Sequence, residues 1–257
     1  HSCARRSLGD AKRIVVAPVD RKAADACVER WHYSGRTYSK SRLHLGVWLD
    51  GDLLGAMQFG PPLQTSHLVG LVRDTSWNGF IELNRMAFSD RLPRNSESRA
   101  LSIAMKMMRK HAPHVEWCVS FADGTQCGDG AIYRASGFAL TGIKTNTSLW
   151  RTPKGDVVSD VGVRTSERLR REIGTDGSTH SLRAAGCARL DGFQLRYVYF
   201  IDPTARERLT VPVLPFSAID AAGARMYRGK PSPRAETSAP RGTTTGAGGA
   251  TPTSALP

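Results

Sequence analysis

The chain has 257 residues and a mass of 28.0 kDa, which fits one large domain or one domain with an appendage. Its formal net charge of +13 comes from 28 Arg and 8 Lys against 23 acidic residues, which points to a polyanionic partner unless it reflects a GC-rich genome. No apolar run is long enough to span a membrane and no signal-peptide centre opens the chain, so no membrane partner and a cytoplasmic location are expected. Five cysteines, Cys3, Cys27, Cys118, Cys127 and Cys187, include neither a C-x-x-C pair nor a neighbouring histidine at zinc-ligand spacing, and read as reduced thiols.

Arg13 to Pro18 reads as a short strand. Asp20 can cap a helix in which Ala24, Cys27, Val28 and Trp31 recur at helical spacing, with His32 at its end. Leu45 to Leu49 and Leu53 to Phe59 flank an Asp50-Gly51 turn and form a hairpin, which Pro61-Pro62 ends. After a polar loop, Phe80 to Phe88 is a strand. Pro93-Arg94-Asn95 leads into a helix with Leu101, Ala104, Met105 and Met108 on one face, stopped by Pro113. Val119 to Phe138 then runs strand, Gly-rich loop, short helix and strand, with Tyr133 near the helix and Gly137 able to supply a left-handed cap. That last strand is expected to continue through about Leu149. The order defines an α/β fold with a mixed central sheet flanked by helices. Beyond Thr152 the pattern loosens: Thr165 to Glu172 reads as a basic helix, Gln194 to Asp202 as a strand, and 229–257 as a disordered Gly/Thr/Pro-rich tail.

Several residues could carry chemistry. The turn Arg94-Asn95-Ser96-Glu97-Ser98-Arg99 opens a helix, so its backbone N–H groups could receive an anion; Arg94, Asn95, Ser96 and Arg99 are the candidate cofactor contacts, with Asn95 or Ser96 as a plain N-cap the simpler alternative. Arg85 shares strand parity with Ile81, Leu83 and Ala87, which places a guanidinium on a buried face. It therefore needs a partner, and Asp123 is the natural one. His32 sits where the helix dipole favours the imidazolium. Tyr197, Tyr199 and Phe200 could stack on bases, although an alternating strand usually buries one set. His180 and a set of arginines, Arg164, Arg168, Arg170, Arg171, Arg183, Arg189 and Arg196, either track phosphates or form a solvated basic face.

The ending Tyr133-Arg-Ala-Ser-Gly137-Phe138 resembles the last helix of acyl-CoA-dependent N-acyltransferases, in which such a tyrosine can protonate a departing thiolate. Those enzymes carry glycines in the turn before the pyrophosphate-binding helix, and this chain has none there. Four blocks in order are more specific: Trp31-His-Tyr-Ser34, Glu82-Leu-Asn-Arg85, Asn95-Ser-Glu-Ser-Arg99, and Ser120-Phe-Ala-Asp123 followed by AIYRASGF. Together they resemble the Mom family of phage DNA-modification proteins over residues 13–216. The resemblance implies a GNAT-like domain with a core of about 13–152 and a basic extension of 153–216, preceded by an N-terminal extension of 1–12; 217–228 is unassigned.

The same resemblance implies conversion of adenine N6 in DNA to a carbamoylmethyl adduct that blocks restriction, in the cytoplasm of a bacterial host. By motif position the functional residues fall on His32, Arg85, Ser98, Asp123 and Tyr133. The partner is double-stranded DNA with a flipped adenine, because N6 is poorly nucleophilic and stacked inside the duplex. Simple acyl transfer would leave an amide, whereas this adduct attaches through CH2. The donor is therefore open between acetyl-CoA and a glycine-derived group, and redox iron is a further option. The oligomeric state, a dimer included, is open. Two other readings stand beside this one: an ordinary GNAT N-acetyltransferase acting on a small amine or protein, and a non-catalytic DNA-binding protein with the same fold.

Overall fold

The computed structural model describes residues 10–124 and 128–224, and the backbone of 226–227 and 230–231. Most of the expected N-terminal extension and the Gly/Thr/Pro-rich tail lie outside the described residues, as do Cys3 and Cys127.

The chain opens with strand β1 (Val15–Pro18) and helix α1 (Arg21–Trp31), where the Asp20 side chain accepts the Ala23 N–H at 2.7 Å and so caps the helix as expected. A hairpin of β2 (Leu43–Leu49) and β3 (Asp52–Gly60) follows; Asp50 and Gly51 both take positive φ, 54° and 89°, as a tight two-residue turn requires. Next come β4 (Phe80–Phe88), α2 (Ser96–His111), β5 (Trp117–Asp123), α3 (Ala131–Ala135) and β6 (Ala139–Thr145). Gly137 (φ 85°) ends α3 as predicted, with Phe138 N–H bonded back to the Tyr133 carbonyl at 3.0 Å.

The strand expected to run to Leu149 instead stops at Thr145. A small unit follows, made of β7 (Leu149–Arg151), β8 (Val157–Ser159), α4 (Asp160–Thr165), α5 (Glu167–Ile173), α6 (Thr179–Ala184) and β9 (Ala188–Arg189). Its three strands form their own sheet around Trp150, Val163, Leu169 and Leu182. The chain then returns as β10 (Phe193–Phe200), which enters the main sheet between β5 and β6, so that sheet crosses the boundary expected near residue 152. Helix α7 (Ser217–Ala221) buries Ile219.

The main sheet has the order β1-β2-β3-β4-β5-β10-β6 and is antiparallel except where β4 meets β5. Helices α2 and α3 cover one face over the largest core, which holds Leu45, Met57, Phe59, Leu83, Leu101, Met105, Leu140 and Tyr197. The other face is covered by α1 at one end, over Ala56, and at the other end by the loop around Leu68–Val72, over Trp117 and Val119. Cys27, Cys118 and Cys187 are buried and free; burial pushes the Cys27 thiol up to about 11, so it packs as a thiol rather than reacting as a thiolate.

Candidate active site

The site begins with an irregularity in β4. Leu83 pairs with Phe59 and Arg85 with Gln58, so Asn84 is an extra residue in the ladder, a β-bulge. Phe59 and Gln58 are adjacent and face opposite sides of the sheet, so Leu83 and Arg85 do too. The expected parity of Arg85 with Leu83 is therefore wrong. The bulge turns Arg85 to the α1 face, where Glu82 also lies, opposite Gly60 and Val119. Alternation along β5 from Val119 brings Asp123 to the same face.

Arg85 and Asp123 thus share a face, but the ion pairs among the described residues do not include one between them. The Arg85 guanidinium instead donates to the carbonyls of Arg36 (2.7 Å) and Asn84 (2.6 Å) and lies 5.9 Å from the Tyr38 ring centroid. Carbonyl dipoles replace the expected carboxylate because the loop after α1 folds over the bulge. Burial pulls the guanidinium below its usual value while leaving it charged. Burial likewise raises the Glu82 carboxyl, although the Leu63 N–H donates to it at 3.2 Å.

His32 follows α1 and donates its N–H to the Val28 carbonyl at 3.0 Å. The expectation of an imidazolium is overturned: burial, reinforced by Arg85, lowers the ring from 6.5 to about 4. The helix dipole is the weaker influence here. The Ser34 amide donates to Nδ1 at 3.2 Å, so the neutral ring carries its proton on Nε2.

Ser98 and Tyr133 lie on the opposite face. Ser98 bonds to the Asn95 carbonyl at 3.2 Å, and its own carbonyl accepts the Ser136 hydroxyl at 3.4 Å, tying α2 to the end of α3. Tyr133 stacks on Tyr197 with centroids 5.1 Å apart. Tyr197 is fully buried, so the stacking role considered for it falls to core packing.

The helix start is unlike a plain N-cap. Asn95 adopts φ 70° and makes no side-chain cap bond, so it takes the left-handed shape that a glycine would supply. The N–H groups of Glu97 and Ser98 find no acceptor among the described residues, and the buried Ser96 Oγ has no partner either. Alongside lies a groove of about 300 Å³ lined by Lys12, Asn95, Ser98, Arg99, Ser102 and Lys106. Arg94 is exposed on the same turn.

β4 and β5 pair only at Phe80–Trp117, Ile81–Cys118 and Glu82–Val119, after which β4 runs on to Phe88 and β5 to Asp123 without pairing to each other. The opening presents strand-edge N–H and C=O groups, the kind of edge to which an extended amide chain can add. With the cationic groove and the unsatisfied donors at α2, these residues fit an acyl-CoA-like molecule. They do not fit iron: no three His, Cys, Asp or Glu side chains come together among the described residues.

The arginines expected on DNA divide. Arg168, Arg170 and Arg171 are exposed on α5, the first paired with Glu172 and the third with Glu167, and Arg183 is exposed on α6. Arg196 is half-buried and turned to Thr141, with bonds of 3.0 and 2.9 Å. The sequence reading missed Tyr38, Glu82 as a side chain of the site, and Lys12. Glu82 lay within a block already noted, whereas Tyr38 stands in a loop without periodicity.

A helix-flanked mixed sheet, parted between two central strands with a cationic groove on one face and polar groups on the other, defines a transferase-like α/β protein. Residues 13–218 match the Mom protein family, and the chain belongs to that family. It is 35% identical over 200 residues to methylcarbamoylase mom of Escherichia phage Mu, covering 77% of this chain and 80% of that protein. Among solved structures it is similar to the ribosomal-protein-S18-alanine N-acetyltransferase from Escherichia coli, with 11% identity, coverage of 73% and 94%, and a TM-score of 0.41. It is likewise similar to an IAA acetyltransferase from Bacillus cereus, with 12% identity, coverage of 73% and 99%, and a TM-score of 0.41. Among the described residues no helix is long and apolar enough to cross a membrane.

Proposed function

We propose that this chain modifies the N6 amino group of adenine in double-stranded DNA, leaving a carbamoylmethyl adduct that protects the DNA from restriction. The observation that carries the reading is the parting of β4 from β5 beyond Glu82–Val119, with Arg85 and Asp123 on one face of the sheet and a cationic groove beside α2 on the other. Membership of the Mom family and likeness to a protein named methylcarbamoylase support the chemistry. The net charge of +13 suits a DNA partner.

The groove side is the donor side. Asn95, Ser96, Ser98, Arg99 and Lys12 would hold the anionic part of the donor, and the free edge of β4 its amide arm; because acyl transfer would leave an amide, the donor would have to supply a CH2–C(O)NH2 group whose CH2 carbon bonds to N6 as its bond to the leaving group breaks and N6 gives up one proton. The front is the base side. An extruded adenine lies over the Arg85 region, where a folded loop excludes water and strengthens hydrogen bonds. The Arg85 guanidinium and the Asp123 carboxyl orient base and donor across the opening. Neutral His32 donates from Nε2–H rather than accepting a proton there. The Tyr133 phenol protonates the departing group.

The test is donor turnover by purified protein with and without duplex DNA. Turnover that requires DNA and yields modified adenine supports the reading. Acetyl-CoA turnover on small amines without DNA would support an ordinary acetyltransferase, and salt-sensitive DNA binding with no turnover a binding protein.

A further inference from the structure

Leu63 has no role in the account so far, although its side chain is 70% exposed beside the parting of β4 from β5. A single exposed leucine is ordinary on a protein surface. What sets this one apart is how it is held. Its N–H donates to the Glu82 carboxyl at 3.2 Å, and Glu82 with Val119 is the last rung that the two strands share. Two residues earlier the Pro61 carbonyl accepts the Asn84 side-chain amide at 3.4 Å, so the bulge residue fastens the same loop. Between these anchors Pro62 is buried, and its ring, like that of Pro61, restricts the backbone. The leucine is therefore presented to solvent on a stiff, doubly anchored tip at the end of the shared rungs, tied to the residue that lies on the Arg85 face.

The surroundings fit a polyanion. Asn84 also accepts the Ser41 hydroxyl at 3.0 Å, and the Arg42 N–H donates to the Phe59 carbonyl at 2.7 Å, so segment 36–42 lies against the base of this loop. Arg36, Lys40 and Arg42 are exposed on it, and neither 36–42 nor 60–73 contains an acidic residue. An apolar tip within a cationic, acid-free rim matches the interior of a DNA stack bordered by phosphates. Extruding a base leaves a gap in the stack, and an inserted leucine fills it, removing its own apolar surface from water while holding the base out. Resting on the proposed function above, we infer that Leu63 is a wedge that enters the duplex at the target step, with Arg36, Lys40 and Arg42 on the flanking phosphates. It is an interaction residue for double-stranded DNA and does not touch the reacting atoms.

The test uses 2-aminopurine, an adenine analogue whose fluorescence rises when it leaves the stack. Full-length wild type and Leu63→Ala are titrated, with no donor, into duplexes carrying 2-aminopurine at each adenine position in turn, either paired with thymine or facing an abasic site; anisotropy of an end-labelled copy reports binding. Wild type should raise the fluorescence of the paired probe. Leu63→Ala should still bind but lower the extrusion equilibrium by roughly tenfold to a hundredfold, the worth of burying one leucine side chain, and Leu63→Met should restore it. Facing an abasic site, where no pairing opposes extrusion, wild type and Leu63→Ala should converge. The melting temperature of the variant should be unchanged, because the side chain it shortens is mostly in solvent. Equal fluorescence rises for wild type and Leu63→Ala on the paired probe, or no rise with wild type at any position, would overturn the wedge. So would complete loss of duplex binding by Leu63→Ala, which would make the leucine a docking contact instead. Adduct in DNA from cells expressing the same proteins separates the two readings. A fluorescence rise that needs Leu63, with no adduct in wild-type cells, keeps the wedge while the modification reading falls; an adduct formed equally by wild type and Leu63→Ala overturns the wedge while the modification reading stands.

Discussion

His32 allows a worked prediction, because its neutral state rests on packing rather than on helix position. Unfolded, the ring titrates near 6.5; folded, burial and the Arg85 charge hold it to about 4. Between those values the unfolded chain binds a proton that the folded chain refuses, so stability is full above the unfolded value and falls as pH drops. Linkage gives a loss of about 2 kcal/mol from pH 7 to pH 5, approaching about 3 kcal/mol below pH 4. The perturbation is His32→Gln, whose amide oxygen can still accept the Ser34 N–H while carrying no titrating ring. Urea unfolding of both proteins at pH 7 and pH 5 isolates the term: the wild-type decrease should exceed that of the variant by about 2 kcal/mol. Nuclear magnetic resonance should place the His32 titration near 4. Equal pH dependence in the two proteins, or a midpoint at or above 6.5, would show that the helix dipole wins and that the ring is charged.

Other consequences are quickly checked. Tyr133→Phe keeps the stacking on Tyr197 and should abolish modification while the protein stays folded by circular dichroism; full activity would remove Tyr133 from catalysis. Asn95→Ala should cost about 1 kcal/mol in thermal unfolding because alanine resists φ 70°, whereas Asn95→Gly should be neutral or stabilising. Replacing Arg168, Arg170 and Arg171 together with Gln should reduce the slope of log binding constant against log salt by about 3 if all three neutralise phosphates. Their helix pairs are exposed, so melting should change little.

The parts of this fold that were legible in the sequence are those fixed by local chemistry. Asp20 caps α1, Asp50-Gly51 turns the hairpin, Phe80 to Phe88 is the strand expected, and Gly137 ends α3 in the left-handed region. The α2 face of Leu101, Ala104, Met105 and Met108 is buried as its spacing required. Illegible were features set by distant contacts. β10 was recognisable as a strand from its alternation, but its insertion between β5 and β6 depends on pairing with both. In the unit from β7 to β9 the basic helix expected at Thr165 to Glu172 is present as α5, but the rest escaped because its helices, of six to seven residues, are too short to show a period. One bulge residue, Asn84, reversed the side of the sheet on which Arg85 lies, and no local signal marks it. The charge of His32 was misjudged for the same reason: dipole and position are readable along the chain, whereas burial beside Arg85 is a property of the folded loop.

The central claim is that adenine N6 in DNA is the atom modified, and nucleosides from cells expressing the intact chain test it most directly. DNA is digested and separated by mass spectrometry, with the Tyr133→Phe protein expressed to the same soluble level as control. The account predicts a deoxyadenosine carrying a CH2–C(O)NH2 group on N6 in wild-type cells and none in the control. An unmodified deoxyadenosine pool in the presence of soluble wild-type protein would contradict it.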